Sequence, residues 1–245
     1  MPGSVKPTRL VCPELLNQCT ALPHKDWCVG WGQYPSVAHD MSDVPTPAST
    51  LKWERELEKT AGQALIHWLL RFHANATPLP APPSWSLRKN ARGAPTLVGA
   101  LGQELCHVSL SHSRGAVVAA LSRRPVGVDV EPCARAISYP KRLWHAEEAR
   151  SHDVWHQLNL SGKSGFHLWL WVMKEAIAKT LGRGVAIFSA LFIEPTAVPV
   201  QGGLRFRYRV DSINLPFSTG EIEVYVLKEY LMGVAVEHHF RPRES

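Results

Sequence analysis

The amino-acid sequence predicts an α+β fold built from two lobes. Helical patterns precede strand patterns in the first half of the chain, and the same order returns in the second half. Helices and strands grouped in this way are typical of α+β proteins. The chain has 245 residues, of which 45% are hydrophobic and 20% charged, so it can bury one large core or two smaller ones.

The elements follow from hydrophobic periodicity, taken in chain order. Residues 1–50 are rich in Pro, Cys and Trp and predict loops with short strands, whereas apolar residues at helical spacing predict a helix over 51–73. Strands are predicted at 97–101, 104–110, 116–121 and 126–130, helices at 140–157 and 166–181, and an antiparallel sheet from 186–193, 204–210, 220–227 and 231–237. Gly182 provides the expected end of the second of these helices.

Two acidic motifs indicate chemistry. Asp129 and Glu131 lie two residues apart in a predicted strand, so they share one face while the intervening valines pack into the core. In the helix 171–179, Glu175 and Lys179 share one face. Either motif alone is more often a solvated face than a functional site.

The two motifs become more informative together. Lys174 flanks the helix face that carries Glu175 and Lys179. If that helix packs on the strand of Asp129 and Glu131, three carboxylates and two ammonium groups converge. Hard oxygen ligands beside fixed cations suit Mg²⁺ and a polyphosphate, because metal and lysine share the neutralisation of phosphate charge.

Four sequence motifs follow one another along the chain. They are His-Val-Ser-Leu-Ser-His-Ser at 107–113, Val-Gly-Val-Asp-Val-Glu at 126–131, Trp-Val-Met-Lys-Glu-Ala-Ile-Ala-Lys at 171–179 and Gly-Arg-Gly at 182–184. In this order they resemble the 4′-phosphopantetheinyl transferases of the surfactin-synthetase type. The resemblance covers roughly residues 107–190, and residues 230–236 are similar to the closing strand of that family.

The resemblance implies a fold and a reaction. It implies two similar lobes related by a pseudo-twofold, 1–123 and 124–245, with a boundary near Arg123-Arg124-Pro125 and coenzyme A in the cleft between them. The reaction moves the phosphopantetheine arm of coenzyme A to a serine of an apo acyl, peptidyl or aryl carrier protein and releases 3′,5′-adenosine diphosphate.

The resemblance also implies roles for individual residues. Asp129, Glu131 and Glu175 match acids that bind Mg²⁺, or Mn²⁺ in its place, and Lys174 and Lys179 match lysines that hold the phosphates. Lys179 is expected to act on the pyrophosphate during catalysis.

The coenzyme A and proton-transfer residues are less completely defined. His112, with Ser111 beside it, matches the histidine that contacts the 3′-phosphate region. The proton acceptor for the carrier serine is expected to be Glu175, directly or through a water, with Glu148 as an auxiliary whose register is ambiguous because Glu147 precedes it. Leu143, Trp144 and Trp155 are candidate contacts for a carrier protein if they are exposed.

One departure from the family pattern affects coenzyme A binding. The family commonly has Gly-Lys-Pro before the His-Ser strand, and this chain has Gly-Ala-Pro at 93–95. Lys89 and Arg92 lie just upstream, and Arg55 and Lys59 lie on the first helix as further candidate cations.

Composition bounds the partners and the compartment. A formal net charge of +6 and a pI near 9.2 favour anionic partners such as coenzyme A and an acidic carrier protein. No motif of a nucleic-acid-binding domain is found, and no apolar run is long enough to span a membrane. Five cysteines without a Cys-x-x-Cys pair predict reduced thiols and a cytosolic protein, and a monomer suffices because one chain holds both lobes.

Two other function classes stay open at this point. One is a different Mg²⁺-dependent phosphoryl or nucleotidyl transferase that uses the same three acids and ignores coenzyme A. The other is an inactive family member that binds coenzyme A or a carrier without transfer, which the altered residues 93–95 make conceivable.

Overall fold

A computed structural model describes residues 16, 18–23, 27–34, 48–76, 85–90, 93–138, 140–158, 160, 165–211 and 219–236. Its strands are β1 (Gln18–Pro23), β2 (Trp27–Gln33), β3 (Trp85–Lys89), β4 (Pro95–Gly99), β5 (Glu104–Ser113), β6 (Ala116–Ser122), β7 (Val126–Pro132), β8 (Leu191–Ile193), β9 (Val198–Val200), β10 (Gly203–Val210), β11 (Thr219–Leu227) and β12 (Tyr230–Val236). Its α-helices are α1 (Ala48–Ala76), α2 (Ala146–Arg150), α3 (His152–Gln157) and α4 (Phe166–Thr180).

The strands form two antiparallel sheets. The first has the order β1-β2-β6-β5-β4-β3, and the second has the order β7-β12-β11-β10-β8, with β9 paired to β10. The last strand of the first sheet ends at Ser122 and the first strand of the second begins at Val126. The predicted α+β class is confirmed, with two antiparallel sheets and helices packed on them.

Three buried clusters define four layers. The first cluster lies between α1 and the outer face of the first sheet, where Leu65 and Leu69 meet Val117 and Ala119. The second lies between the two sheets. The third lies between α4 and the outer face of the second sheet. Each sheet therefore buries both faces, which explains why β6, β7 and β12 are buried at every residue.

Two predicted elements differ from the structure. The helix expected over 140–157 is a 3₁₀ turn at Lys141–Leu143 followed by α2 and α3. The break arises because His145 has an extended backbone and caps α2, its ring accepting the Glu147 N–H. The strand expected over 186–193 is a 3₁₀ helix over Val185–Ala190, and only Leu191–Ile193 pairs with β10.

The cysteine expectation is wrong at one position. Cys19 is disulfide-bonded, whereas Cys28, Cys106 and Cys133 are free thiols. Burial raises the pKa of Cys106 to about 12, so this thiol is held in its neutral form. Among the described helices, none is long and apolar enough to cross a membrane.

Helix α4 and strand β7 approach one another unusually closely at Gly127. A Cβ atom placed on Gly127 would overlap the carbonyl oxygen of Ala176 and lie 2.6 Å from the nitrogen of Thr180. The Thr180 hydroxyl lies 3.0 Å from the Ala176 carbonyl and 3.1 Å from that of Ala235 on β12. Glycine is therefore required here so that the helix backbone can rest on the sheet.

We expect Gly127→Ala to destabilise the protein by about 2 kcal/mol or more, because the methyl group meets backbone atoms that no rotamer change can move. The measurement is the urea midpoint, followed by far-UV circular dichroism. Gly184→Ala is the matched control, since Gly184 has a φ of −95° and its added Cβ would have no atom within 4 Å. Equal stability of the two variants would contradict the close approach.

Candidate functional site

The close packing of α4 places Lys179 over the edge of β7. Its ammonium donates to Asp129 Oδ1 at 2.8 Å and to the Val128 carbonyl at 3.0 Å. Strand β7 lies at the edge of the second sheet, so the Val128 carbonyl has no neighbouring strand to pair with it. The lysine ammonium donates the hydrogen bond that this edge carbonyl lacks, and it places its positive charge beside the Asp129 carboxylate.

The other side of Asp129 is held by the first sheet. The Ser111 hydroxyl of β5 donates to the same Oδ1 atom at 2.8 Å, and both side chains are buried. The second carboxylate oxygen, Oδ2, is buried and has no hydrogen-bond partner among the described residues. An ionised oxygen without a partner is costly in a protein interior, so this atom marks a position where a cation or a donor group belongs.

Glu131 has both of its oxygens occupied. Oε2 accepts from the Ser113 hydroxyl at 2.7 Å, and Oε1 is paired with the Arg135 guanidinium. Glu131 is also buried, so its negative charge lies at the site and is largely shielded from bulk water.

Glu175 completes the group of acids. Burial raises the pKa of its carboxyl, and the neighbouring negative charge of Asp129 adds to the rise, followed by that of Glu131, while Lys179 opposes it. The structure thus brings Asp129, Glu131, Glu175 and Lys179 into one electrostatic neighbourhood.

The carboxylate oxygens of Asp129, Glu131 and Glu175 do not all lie within 4.8 Å of one another. Among the described residues, the one set of three whose ligand atoms lie within 4.8 Å of one another is His145, Glu147 and Asp211. That set is already satisfied internally: His145 Nε2 lies 2.9 Å from Asp211 Oδ2, and Arg209 pairs with both carboxylates. We interpret it as a polar clamp that joins the start of α2 to the end of β10.

A cleft of about 260 Å³ opens beside Lys179. Asn90, Ala94 and His107 line it from the side of the first sheet, and Lys179 and Gly182 line it from the end of α4. Gly182 has a φ of 62°, which ends α4 and leaves room at its C-terminus. The altered Gly-Ala-Pro segment thus lies at the cleft wall, because Ala94 and Pro95 both contact it.

Lys174 does not join the site, and its expected phosphate role requires correction. The side chain is completely buried, and its ammonium donates to Glu148 Oε2 at 2.7 Å, to the Phe188 carbonyl at 2.8 Å and to the Leu143 carbonyl at 3.3 Å. One helical residue rotates a side chain by about 100°, so Lys174 points into the core while Glu175 faces the site.

Glu148 is likewise buried, and its expected auxiliary catalytic role is corrected with that of Lys174. Its carboxylate accepts from Lys174 and from the backbone N–H groups of His145 at 3.0 Å and Ile193 at 3.3 Å. Burial raises the pKa of Glu148 and lowers the pKa of Lys174. The ammonium has three acceptors and the carboxylate only donors, which is the arrangement of a charged pair.

His112 and Ser111 point to opposite faces of β5, as neighbours in a strand must. His112 is half exposed on the α1 side, where its Nδ1 lies 3.1 Å from Glu58 Oε1. Ser111 lies on the other face against Asp129 and is only 7% exposed, so the expectation that it contacts coenzyme A is wrong for this conformation.

The remaining candidate cations lie at the periphery. Lys89 is exposed at the end of β3, next to Asn90 of the cleft wall, and Arg55 is exposed on α1. Arg92 lies outside the described residues.

The three candidates for carrier contact differ in exposure. Trp155 is fully buried and stacks with Phe166 and Phe206, so it does not meet the condition of exposure under which it was a candidate. Leu143 and Trp144 are half-buried at the edge of the same cluster.

Sequence reasoning missed four residues that hold the site together: Ser109, Ser113, Arg135 and Glu58. The serines had a detectable signal, because Ser109, Ser111 and Ser113 recur with the two-residue period of a strand face. The pairing partners of Arg135 and Glu58 come from tertiary contacts and have no comparable pattern in the sequence.

A comparison with known families matches part of the chain. Residues 125–235 match the family model described as the 4′-phosphopantetheinyl transferase superfamily. This range extends from the start of β7 almost to the end of β12. A comparison of the chain with curated proteins finds no significant match.

We expect Lys174→Met to lower the free energy of unfolding by about 3–5 kcal/mol, because it leaves the Glu148 carboxylate buried without its cation. Lys174→Met combined with Glu148→Gln should recover part of this loss, since glutamine keeps an acceptor for the backbone donors. Urea denaturation measures both variants. A stable Lys174→Met variant that has lost affinity for coenzyme A would instead support the phosphate role.

Proposed function

We propose that this protein transfers 4′-phosphopantetheine from coenzyme A to a serine of an apo acyl, peptidyl or aryl carrier protein. The observation that carries the proposal is the pairing of Asp129 with Lys179 beside the cleft, with Asp129 Oδ2 buried and unpartnered. The superfamily domain at 125–235 and the surfactin-synthetase-type motifs support it.

The cleft supplies the binding site for the pyrophosphate and the pantetheine arm. Lys179 directs two of its three ammonium hydrogens to protein acceptors, which leaves one for a phosphate oxygen. His112 is half exposed on the face of β5 that is turned towards α1. We assign it to the 3′-phosphate region because of the resemblance to the family. Glu58 holds its Nδ1 side, so Nε2 is the nitrogen left for a ligand.

The donor set fits Mg²⁺ or Mn²⁺. Asp129 Oδ2 is a buried carboxylate oxygen in need of a cation, and Glu175 and Glu131 supply the further hard oxygens that these ions prefer. When bound, the ion would supply positive charge to the pyrophosphate oxygens. Arg135 occupies Glu131 in the present arrangement, so Glu131 must release or share this partner to ligate.

The transfer step is a substitution at phosphorus. The carrier serine Oγ forms a bond to the β-phosphorus of coenzyme A, the bond from that phosphorus to the bridging oxygen breaks, and 3′,5′-adenosine diphosphate departs. Glu175 accepts the serine proton directly or through a water, and burial together with the charge of Asp129 raises the pKa of its carboxyl, which makes the carboxylate a stronger base. Lys179 stabilises the charge that grows on the pyrophosphate.

The second candidate function is an inactive binding protein. It is favoured by Ala94, which lies at the cleft wall where the family pattern has a lysine. Such a protein would bind coenzyme A in the cleft and transfer nothing. Retention of Asp129, Glu175 and Lys179 in one neighbourhood argues for the active enzyme.

The first test is intact-mass spectrometry of an apo carrier protein incubated with the protein, coenzyme A and Mg²⁺. We expect a mass gain of about 340 Da from the phosphopantetheine group, lost with chelator and with Asp129→Ala. Coenzyme A binding without transfer to any of several carriers would support the binding protein. Turnover of a nucleoside triphosphate without coenzyme A would indicate a different transferase.

We expect Lys179→Ala to lower kcat by roughly 100-fold or more and to weaken coenzyme A binding, because the ammonium contacts the phosphates in both ground and transition states. Arg207→Ala is a charge-matched control, since Arg207 is exposed on β10. Calorimetric titration and single-turnover kinetics separate the two effects. A Lys179→Ala variant that behaves like the control would remove Lys179 from the mechanism.

A further inference from the structure

One face of β5 presents three serine hydroxyls to β7. Ser109 Oγ accepts the backbone N–H of Val128 at 3.0 Å, Ser111 donates to Asp129 Oδ1 at 2.8 Å and Ser113 donates to Glu131 Oε2 at 2.7 Å. These bonds cross from the first sheet to the second. Ser109 accepts from a backbone N–H group, whereas Ser111 and Ser113 donate to carboxylates.

The two oxygens of Asp129 have sharply different environments. Oδ1 receives both the Ser111 hydroxyl and the Lys179 ammonium, each at 2.8 Å. Oδ2 is buried and has no partner among the described residues. Two donors from opposite sides fix the rotation of the carboxylate about its terminal bond, which otherwise has a broad energy minimum.

We propose that Ser111 is a positioning residue, which holds Asp129 so that Oδ2 is presented to a divalent cation. This inference rests on the proposed function. Ser111 has a single hydroxyl hydrogen, and Asp129 takes it, so the Ser111 hydroxyl acts through the carboxylate and has no hydrogen left to donate to a phosphate. Lys179 restrains the same oxygen from α4, and without Ser111 the carboxylate is held from one side only.

The inference gives the first lobe a part in cation binding. Ser111 belongs to β5, which lies outside the superfamily domain at 125–235, whereas Asp129 lies inside it. The cation site is therefore complete only when the two sheets are packed together. Partners that orient a metal ligand commonly change affinity by about 10–100-fold when they are removed.

The test is Mn²⁺ binding to the full chain, measured by electron paramagnetic resonance without substrate. We expect Ser111→Ala to weaken Mn²⁺ binding by about 10–100-fold. Ser109→Ala is the matched control, because it removes a hydroxyl from the same face of the same strand and breaks a bond to backbone only. It should leave Mn²⁺ affinity close to that of the wild type, because no carboxylate loses a hydrogen-bond donor.

A second measurement separates positioning from direct contact. Coenzyme A binding in the presence of chelator should be equal for wild type and Ser111→Ala. Thermal unfolding of both serine variants shows whether they are folded, and the Mn²⁺ comparison is made at a temperature below both transitions.

The outcomes are distinct. Unchanged Mn²⁺ affinity in Ser111→Ala, an equal loss in Ser109→Ala, or a loss of metal-free coenzyme A binding in Ser111→Ala would each overturn the positioning role while the proposed transfer stands. A wild-type protein that neither binds Mn²⁺ nor modifies a carrier would overturn the proposed function and this inference together.

Discussion

The contact between Gly127 and helix α4 is the constraint on which the site depends. With no side chain at Gly127, the backbone of Ala176 and Thr180 rests directly on β7. At this separation Lys179 reaches both the Val128 carbonyl and Asp129 Oδ1 with ordinary hydrogen-bond distances. The packing requirement and the electrostatic arrangement therefore have a single structural origin.

Neighbouring lysines on α4 have opposite environments. Lys179 is half-buried and contacts Asp129, whereas Lys174 is fully buried in a charged pair with Glu148. That pair connects α4 to the start of α2, to β8 and to the 3₁₀ helix before β8. Because its donors and acceptors are matched, the pair fixes the orientation of α4 and so the direction in which Glu175 faces.

The two sheets meet through an apolar core and a polar edge. Alternate residues of β6 and β7 meet in the apolar layer between the sheets, while the serines of β5 join the edge of β7. An edge strand leaves N–H and C=O groups unpaired, and here a serine and a lysine satisfy them at Val128. The same contacts that protect the edge also restrain the acidic side chains of the site.

The sequence by itself determined the α+β class, most of the strands, α1 and α4. These features follow from periodicity, which depends only on residues close in the chain. It did not determine the break between α2 and α3, the 3₁₀ helix at Val185–Ala190 or the Cys19 disulfide. The short apolar run before β8 fits a strand and a 3₁₀ helix equally well. A break in a helix depends on local capping residues such as His145.

Only the tertiary structure decided which charges are buried in the core and which lie at the candidate site. Lys174 and Lys179 belong to one motif, yet Lys174 lies in the core and Lys179 lies at the site. Ser111 and His112 are adjacent, yet they lie on opposite faces of β5. Whether a charged group is buried and what it meets depend on elements distant in sequence. The partners of Asp129 come from β5 and α4, and their convergence is a consequence of packing that no local pattern encodes.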